Sequence, residues 1–161
     1  MNAAPTIHAS AVLVGARAVL IRGPAGAGKS RLALNLIQAA SNGQLIFARL
    51  VADDRVHVEA AHDRLIARPS AALAGLLEVR GLGIQRLPYE PVAVVSWVVD
   101  LCASESMRIP DDAAAHAVVA GVRLRRLAVA AGCDPVPAVL VAITSRPQQC
   151  SDIPVSADAA F

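Results

Sequence analysis

Gly23-Pro24-Ala25-Gly26-Ala27-Gly28-Lys29-Ser30 is a full match to the pattern G-x-x-x-x-G-K-[ST], with an additional glycine at position 26. An apolar segment typical of a strand, Ala18–Ile21, precedes these residues. Residues 30–40 follow, with apolar side chains at helical spacing. A strand, a glycine-rich loop and a helix in this order form a phosphate-binding loop, or P-loop. The sequence therefore predicts an α/β fold in which residues 23–30 bind a nucleotide.

Each residue type in this loop suits a polyphosphate. Glycines let the backbone wrap the phosphates with its N–H groups pointing inward, and the helix N-terminus adds its dipole. Lys29 is the only lysine among the 15 basic residues of the chain, and its ammonium suits the β- and γ-phosphates. The hydroxyl of Ser30 suits Mg²⁺. We therefore expect ATP and Mg²⁺ as the ligands.

Length and composition predict one globular domain. The chain has 161 residues, of which 55% are hydrophobic and 17% charged, which excludes intrinsic disorder. A net charge of +2 without a basic run, and 2% aromatic residues, exclude the basic patch and the stacking platform of a nucleic-acid-binding protein. We expect a single compact catalytic domain over residues 1–145 and an extended or poorly ordered tail over residues 146–161.

Cysteine usage and hydropathy indicate a cytoplasmic protein without membrane insertion. The three cysteines show no metal-ligand spacing, and an odd number does not suit a disulfide framework. The N-terminus has no basic segment before its apolar stretch, so we expect no signal peptide. Leu127–Thr144 contains Pro135 and Pro137, and it is shorter than the ~20 apolar residues that a spanning helix needs. We interpret it as a turn followed by a buried strand, Val139–Ile143.

The remaining secondary structure follows from periodicity and turn residues. Strands are predicted in two hairpins and two single segments: 11–14 with 17–22, 55–60 with 64–68, 44–52, and 91–101. Short strand character is predicted for 77–79, and a turn or short helix for 69–76. Asp111–Ala120 has an acidic start and an alanine-rich composition, which predict a helix.

Two groups of polar residues outside the loop could carry chemistry. Asp53 and Asp54 end an apolar strand, and because neighbouring strand residues point to opposite faces, only one can face the phosphates unless a turn starts there. That one could hold Mg²⁺ or act as a general base, or the pair could simply be a solvated strand end. Glu78 and Arg80 share one face of a strand before Gly81-Leu82-Gly83. They could bind a cation and a phosphate, or form an exposed ion pair.

These motifs together resemble the catalytic domain of the HPr kinase/phosphorylase family. The resemblance rests on His8, GPAGAGKS (23–30), VADD (51–54), EVRGLG (78–83) and MRIP (107–110), in the order and approximate spacing of that family. It covers residues 6–145 and implies a compact α/β P-loop fold related to phosphoenolpyruvate carboxykinase. It also implies a form without the N-terminal regulatory domain of full-length members.

The resemblance assigns roles to individual residues. It implies that residues 23–30 bind ATP with Lys29 on its phosphates, and that Ser30 and Glu78 ligate Mg²⁺. Asp53 would take the proton from the attacking serine hydroxyl and lie beside the metal.

Two further positions match the family's active-site residues. These are His8 and Arg108, the latter through a short R-[LI]-P pattern.

The implied activity is phosphorylation of a serine in HPr, or an HPr-like phosphocarrier of a bacterial phosphotransferase system, by a protein that could form a homo-oligomer. The reverse reaction, phosphorolysis, is expected to be weak, because the Gly-Arg-Asn loop tied to it in the family has no counterpart after residue 145. The alternative is a nucleotide-sensing regulatory module with little turnover. A small-molecule kinase or another P-loop NTPase is a third possibility, but no separate base-recognition or lid segment supports it.

Overall fold

The computed structural model describes residues 5–104 and 108–145. Its ten strands are β1 (Thr6–Val14), β2 (Arg17–Arg22), β3 (Ala48–Ala52), β4 (Arg55–Ala61), β5 (Arg64–Pro69), β6 (Leu76–Val79), β7 (Gly83–Arg86), β8 (Ala93–Leu101), β9 (His116–Val119) and β10 (Val122–Val129). The helices are α1 (Lys29–Ser41), α2 (Val136–Thr144) and a 3-10 turn, Ala71–Leu73. The fold is a mixed α/β structure consisting mostly of strands. The predicted tail, 146–161, lies outside the described residues.

Eight of the strands form one sheet, and β6 and β7 form a separate hairpin. The sheet follows the order β2-β1-β4-β5-β8-β10-β9, with β3 alongside β1. Strand β2 also pairs with β8, so the path through β1, β4, β5 and β8 returns to β2. Strands β2, β8 and β10 run parallel, while β1 runs antiparallel to β2 and to β3. The ends of β2, β3 and β8 and the start of β1 therefore meet at one edge.

The sheet is held by two aliphatic cores. Helix α1 places Leu32, Ala33 and Leu36 in one of them, together with β-strand residues such as Ile21 and Val99. The other core, on the opposite side of the central strands, contains small and β-branched residues from β1, β4, β5 and β8. Because α1 packs through the predicted apolar positions, its N-terminus is fixed directly after β2.

Two predictions for the last third of the chain are wrong. The segment predicted as a helix, Asp111–Ala120, instead contains turns followed by β9. Val118 and Val119 favour a strand, and Ala120 and Gly121 adopt positive φ values of 48° and 81°, which form a tight hairpin turn into β10. Strand β10 was not predicted, and its pairing with β8 is the long-range contact that overrides the local preference for helix.

The second wrong prediction is the strand Val139–Ile143, which lies within α2. Its β-branched residues favour a strand. Pro137 in the first turn of α2 is compatible with a helix, because the first N–H groups of a helix have no partner within it. No helix in the described part of the chain is long and apolar enough to span a membrane.

Candidate functional site

The glycine-rich segment lies at the edge where β2 ends and α1 begins. Gly28 is the N-cap of α1 with a φ of 94°, in the left-handed region that glycine adopts without strain. No side chain caps the helix, and its first turn contains no acidic residue. The N–H groups at this end of α1 and the positive end of its dipole are therefore available to an anion.

Lys29 is buried against this segment. The residue is 7% exposed, and its Nζ donates to the carbonyl oxygens of Gly23 at 2.9 Å and Pro24 at 3.0 Å. The ammonium of the only lysine is thus held by the backbone that begins the loop. An ammonium with three donors can exchange such carbonyls for phosphate oxygens while staying in place.

Gly23 brings this loop close to the end of β8. A Cβ built on Gly23 would lie 3.0 Å from the carbonyl oxygen of Leu101 and 3.1 Å from its Cβ, and the φ of Gly23 is 154°. A larger residue here would push the loop away from β8. Gly23 therefore sets the distance between the loop and the neighbouring parallel strand.

Asp53 is at the centre of the polar contacts. The residue is 5% exposed and follows directly after β3. The hydroxyl of Ser30 donates to the carboxylate, with its Oγ 2.9 Å from Oδ1 and 2.8 Å from Oδ2, and the backbone N–H of Glu78 donates to Oδ2 at 3.4 Å. The structure thus brings together Asp53, Ser30 and the backbone of Glu78, three positions that were predicted from the sequence.

Ser10 is a member of this cluster that sequence reasoning missed. It is fully buried in β1, and its hydroxyl donates to Asp53 Oδ1 at 2.5 Å. The signal for it was a hydroxyl residue directly before the apolar run 11–14. Its partner, however, lies 43 positions away in the chain, and no local pattern predicts that pairing.

Asp54 points away from this cluster. It adopts a φ of 64°, so a turn does start at the end of β3, and its side chain is 62% exposed. Its Oδ1 lies 3.3 Å from Nε2 of His8, which is 53% exposed. The two adjacent carboxylates therefore have different surroundings, and His8 belongs with the exposed one.

The structure does not bring Arg108 or the Glu78 carboxylate into the same cluster of contacts. Glu78 lies in β6 with an exposed side chain, and only its backbone N–H contacts Asp53. Arg108 is exposed in the segment between β8 and β9, and its side chain forms no hydrogen bond or ion pair with the described residues. The roles of both stay predictions.

A second charged cluster at this edge was missed entirely. Asp100, near the end of β8, accepts from Nε and the terminal nitrogen of Arg22 at 2.7 and 2.9 Å, and from Nε of Arg126 at 2.5 Å. Burial raises the pKa of the Asp100 carboxyl, but the hydrogen bonds and charges of Arg22 and Arg126 outweigh burial and hold its pKa below the ordinary value of 3.8. Asp100 is therefore a fixed negative charge at neutral pH.

The oxygen donors around Asp53 fit a magnesium ion that also binds phosphate. Within 5–104 and 108–145, no three His, Cys, Asp or Glu side chains form a group that could hold a metal by themselves. Mg²⁺ does not need such a cage, since it keeps several waters and takes one or two carboxylates together with substrate phosphates. The adjacent carboxylate of Asp53 and hydroxyl of Ser30 are donors of that kind.

An open cavity in the described part of the chain lies elsewhere. It has a volume of about 480 Å³ and is lined by residues of β8, β10 and α2, including Trp97, Arg125 and Ile143. None of its lining residues belongs to 23–30 or to the Asp53 cluster. We place the functional site at the Asp53 edge, because the convergent polar groups and the helix N-terminus lie there.

Comparisons with known proteins find one family for the first half of the chain. A family model described as HPr Serine kinase C-terminal domain matches residues 1–88. The HPr kinase/phosphorylase of Clostridium tetani is 40% identical over 82 residues, which are 51% of this chain and 25% of that protein. The corresponding protein of Halalkalibacterium halodurans is 42% identical over 84 residues, 50% of this chain and 25% of that protein. The matched region is thus about a quarter of the length of these relatives.

A protein of known structure shares the fold over most of the chain. It is the HPr(Ser) kinase/phosphatase from Coxiella burnetii, which matches with a TM-score of 0.68 at 22% identity and covers 86% of this chain and 93% of that chain. At this identity the likeness concerns the arrangement of strands and helices.

Proposed function

The chain belongs to the HPr serine kinase C-terminal domain family, and from this premise we propose that it is an ATP- and Mg²⁺-dependent protein-serine kinase. Its acceptor would be a serine of HPr or of an HPr-like phosphocarrier. The observation that carries the proposal is the contact of Ser30 with Asp53 directly beside the loop 23–30. A phosphate-binding segment and a buried carboxylate are then adjacent, as phosphoryl transfer requires.

Binding of the nucleotide is assigned to the loop 23–30 and the first turn of α1. The uncapped N–H groups of α1 would hold the phosphates, and Lys29 would move its ammonium from the carbonyls of Gly23 and Pro24 to phosphate oxygens. Because phosphoryl transfer depends mainly on positioning and charge neutralisation, these groups supply much of what the reaction needs.

Proton transfer is assigned to Asp53. The serine oxygen of the acceptor forms a bond to the γ-phosphorus, the bond from that phosphorus to the β–γ bridging oxygen breaks, and ADP leaves. The hydroxyl proton passes to the Asp53 carboxylate. This carboxylate can change hydrogen-bond partners, because the donors that hold it are the hydroxyls of Ser10 and Ser30.

We assign the metal to Ser30 and Asp53 and also to the carboxylate of Glu78, a residue of β6 whose backbone N–H lies 3.4 Å from Asp53 Oδ2. When bound, Mg²⁺ would neutralise charge on the phosphate oxygens. His8, beside Asp54, and Arg108 are proposed to contact the reacting groups or the acceptor. A cytoplasmic location and a homo-oligomeric state remain parts of the same proposal.

The test is an assay of the purified protein with Mg-ATP and an HPr-type phosphocarrier, with phosphoserine identified by mass spectrometry. We expect one serine of the acceptor to be phosphorylated, and only when Mg²⁺ is present. Tight ATP binding without transfer to any phosphocarrier would contradict the kinase proposal and favour the nucleotide-sensing alternative. Absence of ATP binding would contradict both.

A further inference from the structure

The Asp100 cluster connects two segments that are far apart in the chain. Asp100 lies opposite Arg22 in the parallel register of β2 and β8, and Arg126 lies in β10, the strand on the other side of β8. Their side chains are mostly buried, with 15% of Asp100, 33% of Arg22 and 19% of Arg126 exposed. One carboxylate thus holds two guanidinium groups from the two strands that flank it.

On one side this cluster fixes the beginning of the loop 23–30. Arg22 is bound through two nitrogens, so both the position and the plane of its guanidinium are set. The next residue is Gly23, which packs closely on Leu101 and whose carbonyl accepts from Lys29. A shift of Arg22 would therefore move the backbone that holds the Lys29 ammonium.

On the other side the cluster fixes the segment 108–115. The terminal nitrogen of Arg126 donates to the carbonyl oxygen of Ala114 at 3.4 Å, and the Arg126 backbone N–H donates to that of Ala115 at 2.8 Å. This segment begins with Arg108, which has no contact of its own with the Asp53 cluster. Two described side chains of β10 tie the segment to the sheet: Arg126 at Ala114, and Arg123, which donates to the Asp112 carboxylate at 2.5 Å. Of the two, Arg126 is the one that also binds Asp100.

We propose that Asp100 is a positioning residue that holds the phosphate loop 23–28 and the segment 108–115 in one fixed arrangement through Arg22 and Arg126. The proposal rests on the proposed function, in which the first segment binds ATP. Asp100 touches neither nucleotide nor acceptor and acts only through its two arginines. A purely stabilising ion pair would not act on these two segments selectively.

Hydrogen exchange followed by mass spectrometry on the full chain tests this without reference to activity. In Asp100→Asn the side chain keeps its size, but it loses its charge and one acceptor atom. We expect amides of 23–28 and 108–115 to exchange on the order of tenfold faster, beyond any uniform increase that a lower global stability gives to the amides of the sheet. Two single variants separate the contributions of the two arginines. Arg22→Gln should speed exchange more in 23–28, and Arg126→Gln should speed it more in 108–115.

The matched control is Glu90→Gln. It removes the carboxylate of the Arg49–Glu90 ion pair, which has an N–O distance of 2.8 Å. This ion pair involves no residue of 23–28 or 108–115. This variant should leave the exchange of both segments at the parent rate. A uniform increase throughout the chain in Asp100→Asn without an excess in the two segments, or no change in either segment, would overturn the proposal.

Nucleotide binding is measured on the same variants with a fluorescent ATP analogue and Mg²⁺. We expect weaker binding in Asp100→Asn and Arg22→Gln, and parent-like binding in Arg126→Gln and Glu90→Gln. Equal weakening in all four variants would contradict a positioning role. If the parent binds no nucleotide, the proposed function fails, while the exchange rates still decide whether Asp100 holds the two segments. If Asp100→Asn does not fold, the two arginine variants, in which one ion pair remains, carry the exchange test.

Discussion

Asp53 and Asp100 are carboxylates at the same edge of the sheet, but opposite kinds of partner hold them. Asp53 accepts from the hydroxyls of Ser10 and Ser30 and from one backbone N–H. Asp100 accepts from two guanidinium groups. A hydroxyl can rotate its proton to another acceptor, whereas a guanidinium keeps its charge and its planar geometry. The comparison indicates that Asp53 can exchange partners during a reaction, while Asp100 is built to stay fixed.

The largest expected effect comes from Asp53→Asn. The amide keeps the shape but cannot take a proton, so we expect phosphoryl transfer to fall by about 10²–10⁴-fold. The measurement is the transfer rate to the acceptor at saturating Mg-ATP. Asp63→Asn, the same change in the exposed turn between β4 and β5, is the control and should react like the parent. Parent-like transfer by Asp53→Asn would remove Asp53 from the proton-transfer role.

Lys29→Met comes next, because it removes one charged contact to the phosphates and keeps the aliphatic stem. We expect a loss of about 1.5–3 kcal/mol in nucleotide binding, measured by calorimetric titration with ATP. The fold should persist, since the lost hydrogen bonds go to two loop carbonyls, and circular dichroism checks this. Undiminished binding would show that the loop 23–30 does not hold the phosphates.

Beside its effect on the two segments, Asp100→Asn should lower the free energy of unfolding by about 2 kcal/mol at neutral pH, because it weakens charge-assisted hydrogen bonds. The pKa of Asp100 in the folded protein lies below 3.8. Its contribution is therefore complete well above pH 3.8 and is lost as the pH falls through that value towards the folded-state pKa. Urea unfolding of parent and variant at several pH values should show a difference that shrinks on acidification. A difference in the free energy of unfolding that does not change with pH would contradict the role of the charged Asp100 carboxylate.

The smallest effect is expected from Glu78→Gln, because the structure shows only the backbone of Glu78 at Asp53. If its carboxylate helps to hold Mg²⁺, the variant should need a several-fold higher Mg²⁺ concentration for half-maximal transfer, with metal-free nucleotide affinity unchanged. A magnesium titration of the transfer rate measures this. A titration curve identical to that of the parent would show that Glu78 is an exposed strand residue without a role in metal binding.

Sequence reasoning worked where the determinants are local. The β1–β2 hairpin, helix α1 and the β4–β5 hairpin follow from turn residues and apolar periodicity, and the structure confirms them with shifted ends. The divergence of Asp53 from Asp54 also follows from strand geometry and from the turn at the end of β3. These elements are determined by residues that are close together in the chain.

Sequence reasoning failed where contacts between distant segments determine the structure. Strand β9 forms from an alanine-rich segment because β10 offers it a partner, and β10 itself depends on β8. Asp100 could not be predicted as a site residue, because Arg22 and Arg126 lie 78 and 26 positions away from it. Ser10 was missed for the same reason.

The central claim is that Asp53 takes part in the chemistry and Asp100 only positions the site. Its most direct test is single-turnover transfer from Mg-ATP to the acceptor, measured side by side for Asp53→Asn and Asp100→Asn at saturating nucleotide. We predict a loss of at least about 10²-fold for Asp53→Asn, and a rate within about tenfold of the parent for Asp100→Asn once its weaker binding is overcome. The reverse order, with Asp100→Asn inactive at saturation and Asp53→Asn active, would contradict the account.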